Sequence, residues 1–232
     1  MSLDGDVEKF GQEVETALRA FYAYKSANEL FSHDTSLFYK NPHFWMIFLG
    51  SVQRTLFISL GRLYDPGKDA FTFQKFIKGC RENVEEFGRE YVEKRKLDSL
   101  RIQIEPGRPE WLDGFLNDAC YGKLEDIDKL ARLAKPYNRR MRGLYMEIRS
   151  KIFAHAILHD EAAASDLLAD TSLTEIENAL TALWSIYEQV WHMAYNGSKD
   201  LTFEIRPYRY KDEVHRAVKM AVTGNQGMNE ES

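Results

Sequence analysis

Apolar residues recur three and four positions apart along nearly the whole chain, while the strict alternation of a half-buried strand occurs once, weakly, at residues 201–205. A chain so patterned buries itself as packed helices, so the expected class is all-α. Phe10, Val14, Ala17, Leu18, Phe21 and Tyr24 mark a first helix over about residues 7–30. A second begins where Asn41 caps and Pro42 takes the first helical position, and ends at Tyr64 before Asp65, Pro66 and Gly67. Its apolar residues run nearly all the way round, from Phe44 through Ile47, Phe48 and Leu56 to Leu63. Such a helix is expected to be the buried centre of a bundle, with Phe48 in its core.

From residue 66 to 122 the pattern turns charged and broken, with one or two short helices expected near 72–94 and a loop at Pro106, Gly107, Arg108 and Pro109. A third long helix starts near Leu124, is interrupted at Lys135 and Pro136, and continues from Asn138 through the 150s. A fourth opens with a capping box, Ser172 and Glu175, and carries Ile176, Leu180, Leu183, Tyr187, Val190 and Ala194 on one stripe. The expected architecture is a four-helix up-down bundle over residues 1–197, with its core at 7–65 and 123–195 and an insertion at 66–122. Residues 198–232 form a short appendage whose polar tail, from Gly224 on, is expected to be disordered.

Composition narrows the function classes. The 232 residues carry 31 Lys and Arg against 36 Asp and Glu, a net charge of −5, so the chain is no polycation built to coat nucleic acid or an anionic membrane. Two cysteines forty positions apart, Cys80 and Cys120, build neither a disulfide framework nor a thiolate zinc site. That usage, with an N-terminus charged at Asp4, Asp6, Glu8 and Lys9, leads to the expectation of a cytoplasmic protein with no membrane span. The stretch from Gly61 to Lys68 spaces its glycines wrongly for a P-loop, and no GxGxxG, GxSxG or HExxH occurs.

One segment departs from this acidic background. Between residues 132 and 151, Arg132, Lys135, Arg139, Arg140, Arg142, Arg149 and Lys151 face a single acid, Glu147. That local excess can hold a phosphate backbone, with Arg139, Arg140 and Arg142 as the phosphate-binding candidates. The competing reading is a solvated face whose cations pair with acids elsewhere, such as the series Glu82, Glu85, Glu86 and Glu90.

The segment ends in Arg149, Ser150, Lys151, Ile152, Phe153, Ala154 and His155. A guanidinium and an imidazole are the two groups that cleave a phosphodiester without a metal, one neutralising the phosphorane and the other moving the proton. Six positions on a straight helix leave Arg149 and His155 about 120° apart, so they converge only at a distortion or across an interface. Met141, Leu144, Ile148 and Ile152 share a stripe with His155, which equally fits a hydrogen-bonded core histidine. His155 and His159 are spaced as two metal ligands would be, with no third ligand at firm spacing. His192 is the other histidine within reach of the core. In the appendage, Phe203, Tyr208 and Tyr210 interleave with Arg206, Arg209, Lys211 and Arg216, a pattern that fits either stacking on single-stranded RNA or packing against the bundle.

The Arg149 to His155 motif, the amphipathic fourth helix behind it, and Leu60, Gly61, Arg62, Leu63, Tyr64 and Asp65 closing the second helix together resemble the HEPN superfamily, in the branch similar to abortive-infection protein U. The resemblance covers the four-helix core and leaves the insertion and the appendage unexplained. It implies a homodimer in which two motifs face each other across a cleft, cutting RNA with no cofactor and no metal. Arg149 and His155 would be catalytic there, with Ser150 and Lys151 in support; Ser150 stands where the family often has Asn, Asp or His. The defence or toxin setting of the branch implies RNA and a cognate antitoxin as partners. Members without activity serve as dimerisation or RNA- and nucleotide-binding modules, which is the alternative function.

Overall fold

Several helices begin where the sequence supplies a side-chain oxygen for their first unpaired amides. In the computed structural model, which describes residues 2–65, 67, 71–101, 108–154, 166–197 and 201–224, helix α1 spans Leu3–His33, with the Ser2 hydroxyl accepting from the Gly5 amide at 3.4 Å. A short α2, Thr35–Tyr39, is capped by the Asp34 carboxylate. Helix α3, Pro42–Tyr64, has the expected bounds, and the Asn41 side chain accepts from the Phe44 amide at 3.3 Å.

The segment after α3 contains more helix than its charge pattern led us to expect: α4 at Phe73–Glu82, a 3-10 turn at Val84–Phe87, α5 at Arg89–Arg101 and α6 at Trp111–Asp118. It is also part of the core, because Phe73, Phe76, Ile77, Cys80 and Phe87 are buried with α1, and the Phe76 ring stacks on Phe10 at 4.1 Å between centroids. Val92, Leu112 and Leu116 make a separate apolar cluster between α5 and α6. Arg95 ties α5 to the rest: it donates to Asp4 at 2.6 Å, to the Glu86 carboxylate at 3.0 Å, and to the carbonyls of Glu86 and Ala194.

Helix α7 covers Leu124–Leu133 and α8 covers Lys135–Arg140. The interruption falls at Ala134, and Pro136 lies in the first turn of α8, where a missing N–H costs nothing, so it restarts the helix instead of kinking it. The chain stays helical through a π segment at Met141–Tyr145, α9 at Met146–Ile148 and a second π segment at Arg149–Ala154.

Helix α10, Leu173–Tyr195, starts with half of the expected capping box: Ser172 Oγ accepts from the Glu175 amide at 3.3 Å. The Ser172 amide donates to Tyr145 Oη instead, because the Glu175 carboxylate is occupied by Arg140 and Tyr145. No strand forms at 201–205, which is irregular, and α11, Lys211–Thr223, appears where only an appendage was expected. Its signal was present in the sequence, with Val214, Val218 and Val222 four apart and Gly224 closing the helix at a φ of 67°.

The protein is all-helical among the described residues. Helix α1 packs on α3, α10 and α11, and α3 packs on the run from 141 to 154. The most buried elements are α1 and α10, whose Phe10, Val14, Leu18, Phe21, Leu180, Leu183, Ile186 and Val190 are fully enclosed. This corrects the expectation for α3. Its C-terminal half is sealed, with Leu56, Phe57, Leu60, Leu63 and Tyr64 buried, but Phe44, Met46 and Ile47 are 50%, 63% and 71% exposed and Phe48 is half-buried. By length and a mean hydropathy of 1.3, α3 is the one helix among the described residues that could cross a membrane, and 33% of that window is buried inside the protein.

Candidate functional site

The sequence 60–65 and the residue Arg149 belong to one structure. Leu60, Leu63 and Tyr64 face the core, Arg62 pairs with Glu13 on α1 at 3.5 Å, and the remaining two positions serve Arg149. Gly61 lies against the Arg149 stem so closely that a Cβ there would overlap Cδ. Asp65 then receives the guanidinium, with Arg149 Nη1 donating to Oδ2 at 3.2 Å, while its Oδ1 accepts from the Gly67 amide at 2.7 Å. The Arg149 side chain is 26% exposed, and its Nε is buried without a hydrogen-bond acceptor among the described residues. A guanidinium so placed is fixed by packing along its stem and one charged contact at its head, and part of its fork faces solvent.

The backbone beneath it is a π segment. Phe153, from the same segment, stacks on Phe57 of α3 at 4.9 Å. His155 and His159 lie outside the described residues. Among those described, no three His, Cys, Asp or Glu side chains gather as a metal site.

The basic stretch divides into spent and unspent cations. Arg140 donates to Glu175 at 2.7 Å and to the Asp170 carbonyl at 2.7 Å, and Lys151 pairs with Glu147 at 2.6 Å. Their acids are therefore Glu175, Asp65 and Glu147, not the series at 82–90. Arg132, Lys135, Arg139 and Arg142 are exposed and make no ion pair among the described residues. Ser150 is half-buried. Tyr145 completes the bracing by donating to Glu175 at 3.1 Å, and burial pushes its phenol up from the ordinary tyrosine range.

Asp65, Gly61 and Glu175 were not among the residues singled out by sequence for this site. Asp65 is 84 positions from Arg149 along the chain, and its role emerges only when α3 lies beside the π segment. The appendage packs as well as projects: Tyr208 is fully buried, whereas Arg206 and Arg209 are exposed.

The HEPN_AbiU2 family model, described as AbiU2, matches residues 2–215, and the chain belongs to that family. The match takes in the segment from 66 to 122 and runs through the stretch after α10 into the first residues of α11, so neither is foreign to the family. No curated protein and no solved structure matches the chain.

Proposed function

We propose that this protein is a metal-independent endoribonuclease of defence or toxin type, acting in the cytoplasm as a homodimer whose cleft joins two copies of the motif from Arg149 to His155. Helix α1, α3, the run from 124 to 154 and α10 make the up-down bundle in this reading. Residues 66–122 are its insertion and 198–232 its appendage. The observation that carries the proposal is the placement of Arg149, with its stem on Gly61 and its head on Asp65, six positions before a histidine in a chain of the AbiU2 family.

The chemistry is an internal transfer. The ribose 2′-oxygen attacks the adjacent phosphorus and the bond to the 5′-oxygen breaks, and the products are a 2′,3′-cyclic phosphate and a 5′-hydroxyl. The 2′-oxygen gives up a proton and the departing 5′-oxygen gains one, with His155 either as the base for the first transfer or the acid for the second and the other copy's motif or water completing the balance. Arg149 neutralises the extra negative charge of the phosphorane, with Ser150 and Lys151 in support. The exposed Arg139 and Arg142, joined by Arg140 at its outer edge, hold the phosphates on either side. A cognate antitoxin is the natural restraint on such an activity.

The pairing of Arg149 with Asp65, Arg140 with Glu175 and Lys151 with Glu147 favours a second reading, a non-catalytic dimerisation or RNA-binding module in which these cations are structural. A labelled single-stranded RNA incubated in excess chelator separates the two. Wild type should cut it to cyclic-phosphate ends, and His155→Ala and Arg149→Ala should lower the rate by about two to four orders of magnitude with the helical signal retained. Absence of cutting on structured and unstructured RNAs alike would transfer the weight to the binding module.

A further inference from the structure

A second site lies between α10 and the irregular stretch before α11. A cavity of about 240 Å³ is lined by Tyr187, Glu188, Trp191, His192 and Arg209. It touches neither Arg149 nor Asp65.

The imidazole of His192 is held in one tautomer by a chain of three side chains. Lys96 Nζ donates to Asn196 Oδ1 at 2.8 Å, which fixes the orientation of the amide. Asn196 Nδ2 therefore meets His192 Nδ1, at 3.1 Å, and an amide N–H can only donate. Nδ1 is the acceptor, so the proton of the neutral ring sits on Nε2. Burial, with help from Arg206 and Arg209, depresses the pKa of His192 against the opposing pull of Glu188, so the ring is neutral at physiological pH.

The rest of the cavity has complementary groups. Trp191, half-buried, gives the cavity its aromatic wall and is itself held by stacking on Tyr195 at 5.4 Å between centroids. Arg209 lies 4.6 Å from the Tyr210 ring and only 3.9 Å from a Glu188 oxygen, too long for a hydrogen bond, so its N–H groups are not saturated by that pair. Arg206 is exposed and makes no ion pair among the described residues. One acceptor, one neutral donor and one guanidinium line the cavity beside Trp191, and a second guanidinium, Arg206, lies outside the lining but close enough to bias His192, a set that suits a planar heterocycle joined to a phosphate.

We propose that this cavity binds a nucleoside monophosphate unit, with the base against Trp191, its N–H edge on Glu188, and the phosphate between Arg206 and Arg209. Its volume fits the base, leaving the sugar and phosphate at the mouth. The unit is either a free nucleotide or one residue of an RNA chain, and the site does not depend on the cleavage reading above.

Ring and indole resonances of the ¹⁵N-labelled full chain provide the test. At pH 7.5 His192 should show the Nε2–H tautomer, and guanosine monophosphate should shift the His192 and Trp191 signals saturably. Guanosine without the phosphate should bind about tenfold more weakly, and Arg206→Ala and Arg209→Ala should each weaken the nucleotide by about tenfold, the scale of one charged hydrogen bond. Circular dichroism confirms that the variants fold, and Arg209→Lys, which keeps the charge and loses the fork, should fall between them and wild type. A single-stranded oligonucleotide that saturates the same signals more tightly than the mononucleotide assigns the unit to RNA; the reverse order assigns it to a free nucleotide. Failure of both ligands to move these signals at millimolar concentration, or equal binding by the arginine variants, overturns the proposal.

Discussion

Gly61 and Arg149 occupy one space: the hydrogen that replaces a side chain on α3 is what admits the aliphatic stem of an arginine 88 positions later in sequence. Glycine inside a helix ordinarily costs about 1 kcal/mol relative to alanine. Here it yields a seat for a guanidinium that Asp65 then holds at 3.2 Å.

A double-mutant cycle reads that relationship directly. Gly61→Ala alone should change stability by less than about 1 kcal/mol, because the gain in helix propensity is offset when Arg149 is driven from its seat. In an Arg149→Ala background the same change should stabilise by about 1 kcal/mol. Urea unfolding of the four proteins gives the coupling, and additive effects would show that the two residues do not compete for space. If Arg149 acts on RNA as proposed, Gly61→Ala should also reduce cleavage while leaving the fold intact.

The two halves of α3 should respond oppositely to substitution. Phe57→Ala, at a buried ring stacked on Phe153, should cost about 3 to 5 kcal/mol. Ile47→Ser, on the open half, should change stability by no more than about 0.5 kcal/mol. Equal losses in thermal or denaturant unfolding would mean that Ile47 is covered.

Arg95 is 8% exposed and its head is shared between Asp4, Glu86 and two carbonyls. Arg95→Ala should destabilise by about 3 to 5 kcal/mol, since it leaves the Glu86 carboxylate and two carbonyls without their donor. Denaturant midpoints check this, and Arg108→Ala, which removes an exposed guanidinium paired with Glu93 and Asp113, should shift them far less.

His192 gives the protein a defined acid response. Its folded pKa is depressed, chiefly by burial, so the unfolded chain takes up the proton first. The stability contributed by the neutral ring is complete above the unfolded value of about 6.5 and is lost as pH falls below it toward the depressed folded value. His192→Gln should flatten the stability profile in that window, and a profile identical to wild type would show that the ring does not titrate there.

Residue spacing alone was enough to read the helical class, the caps at Asn41 and Ser172 and the bounds of α3, because those are local and each follows from three or four neighbouring residues. The burial of α3 was not legible. An apolar circumference states what a helix tolerates, and the neighbours that decide its exposure come from elsewhere: the run from 141 to 154 covers only its later turns. The same reasoning explains the site. Arg149 stood out by charge and spacing, whereas Asp65 looked like the first residue of a turn until the fold set it against the guanidinium. The weak alternation at 201–205 makes no strand, as the all-α reading expected, because five alternating residues have no partner strand among the described residues to satisfy their backbone.

The contacts of Arg95 also set an order of events. Beside its local bonds to Glu86, its partners Asp4 and Ala194 lie 91 and 99 residues away in opposite directions along the chain, so the full set of contacts forms only when both long loops are closed and α1 and α10 are side by side. Before that moment α5 carries a charge better left in water. Helix α5 therefore completes its contacts only once α1 and α10 stand together, and its arginine reports that the helices around it are in place.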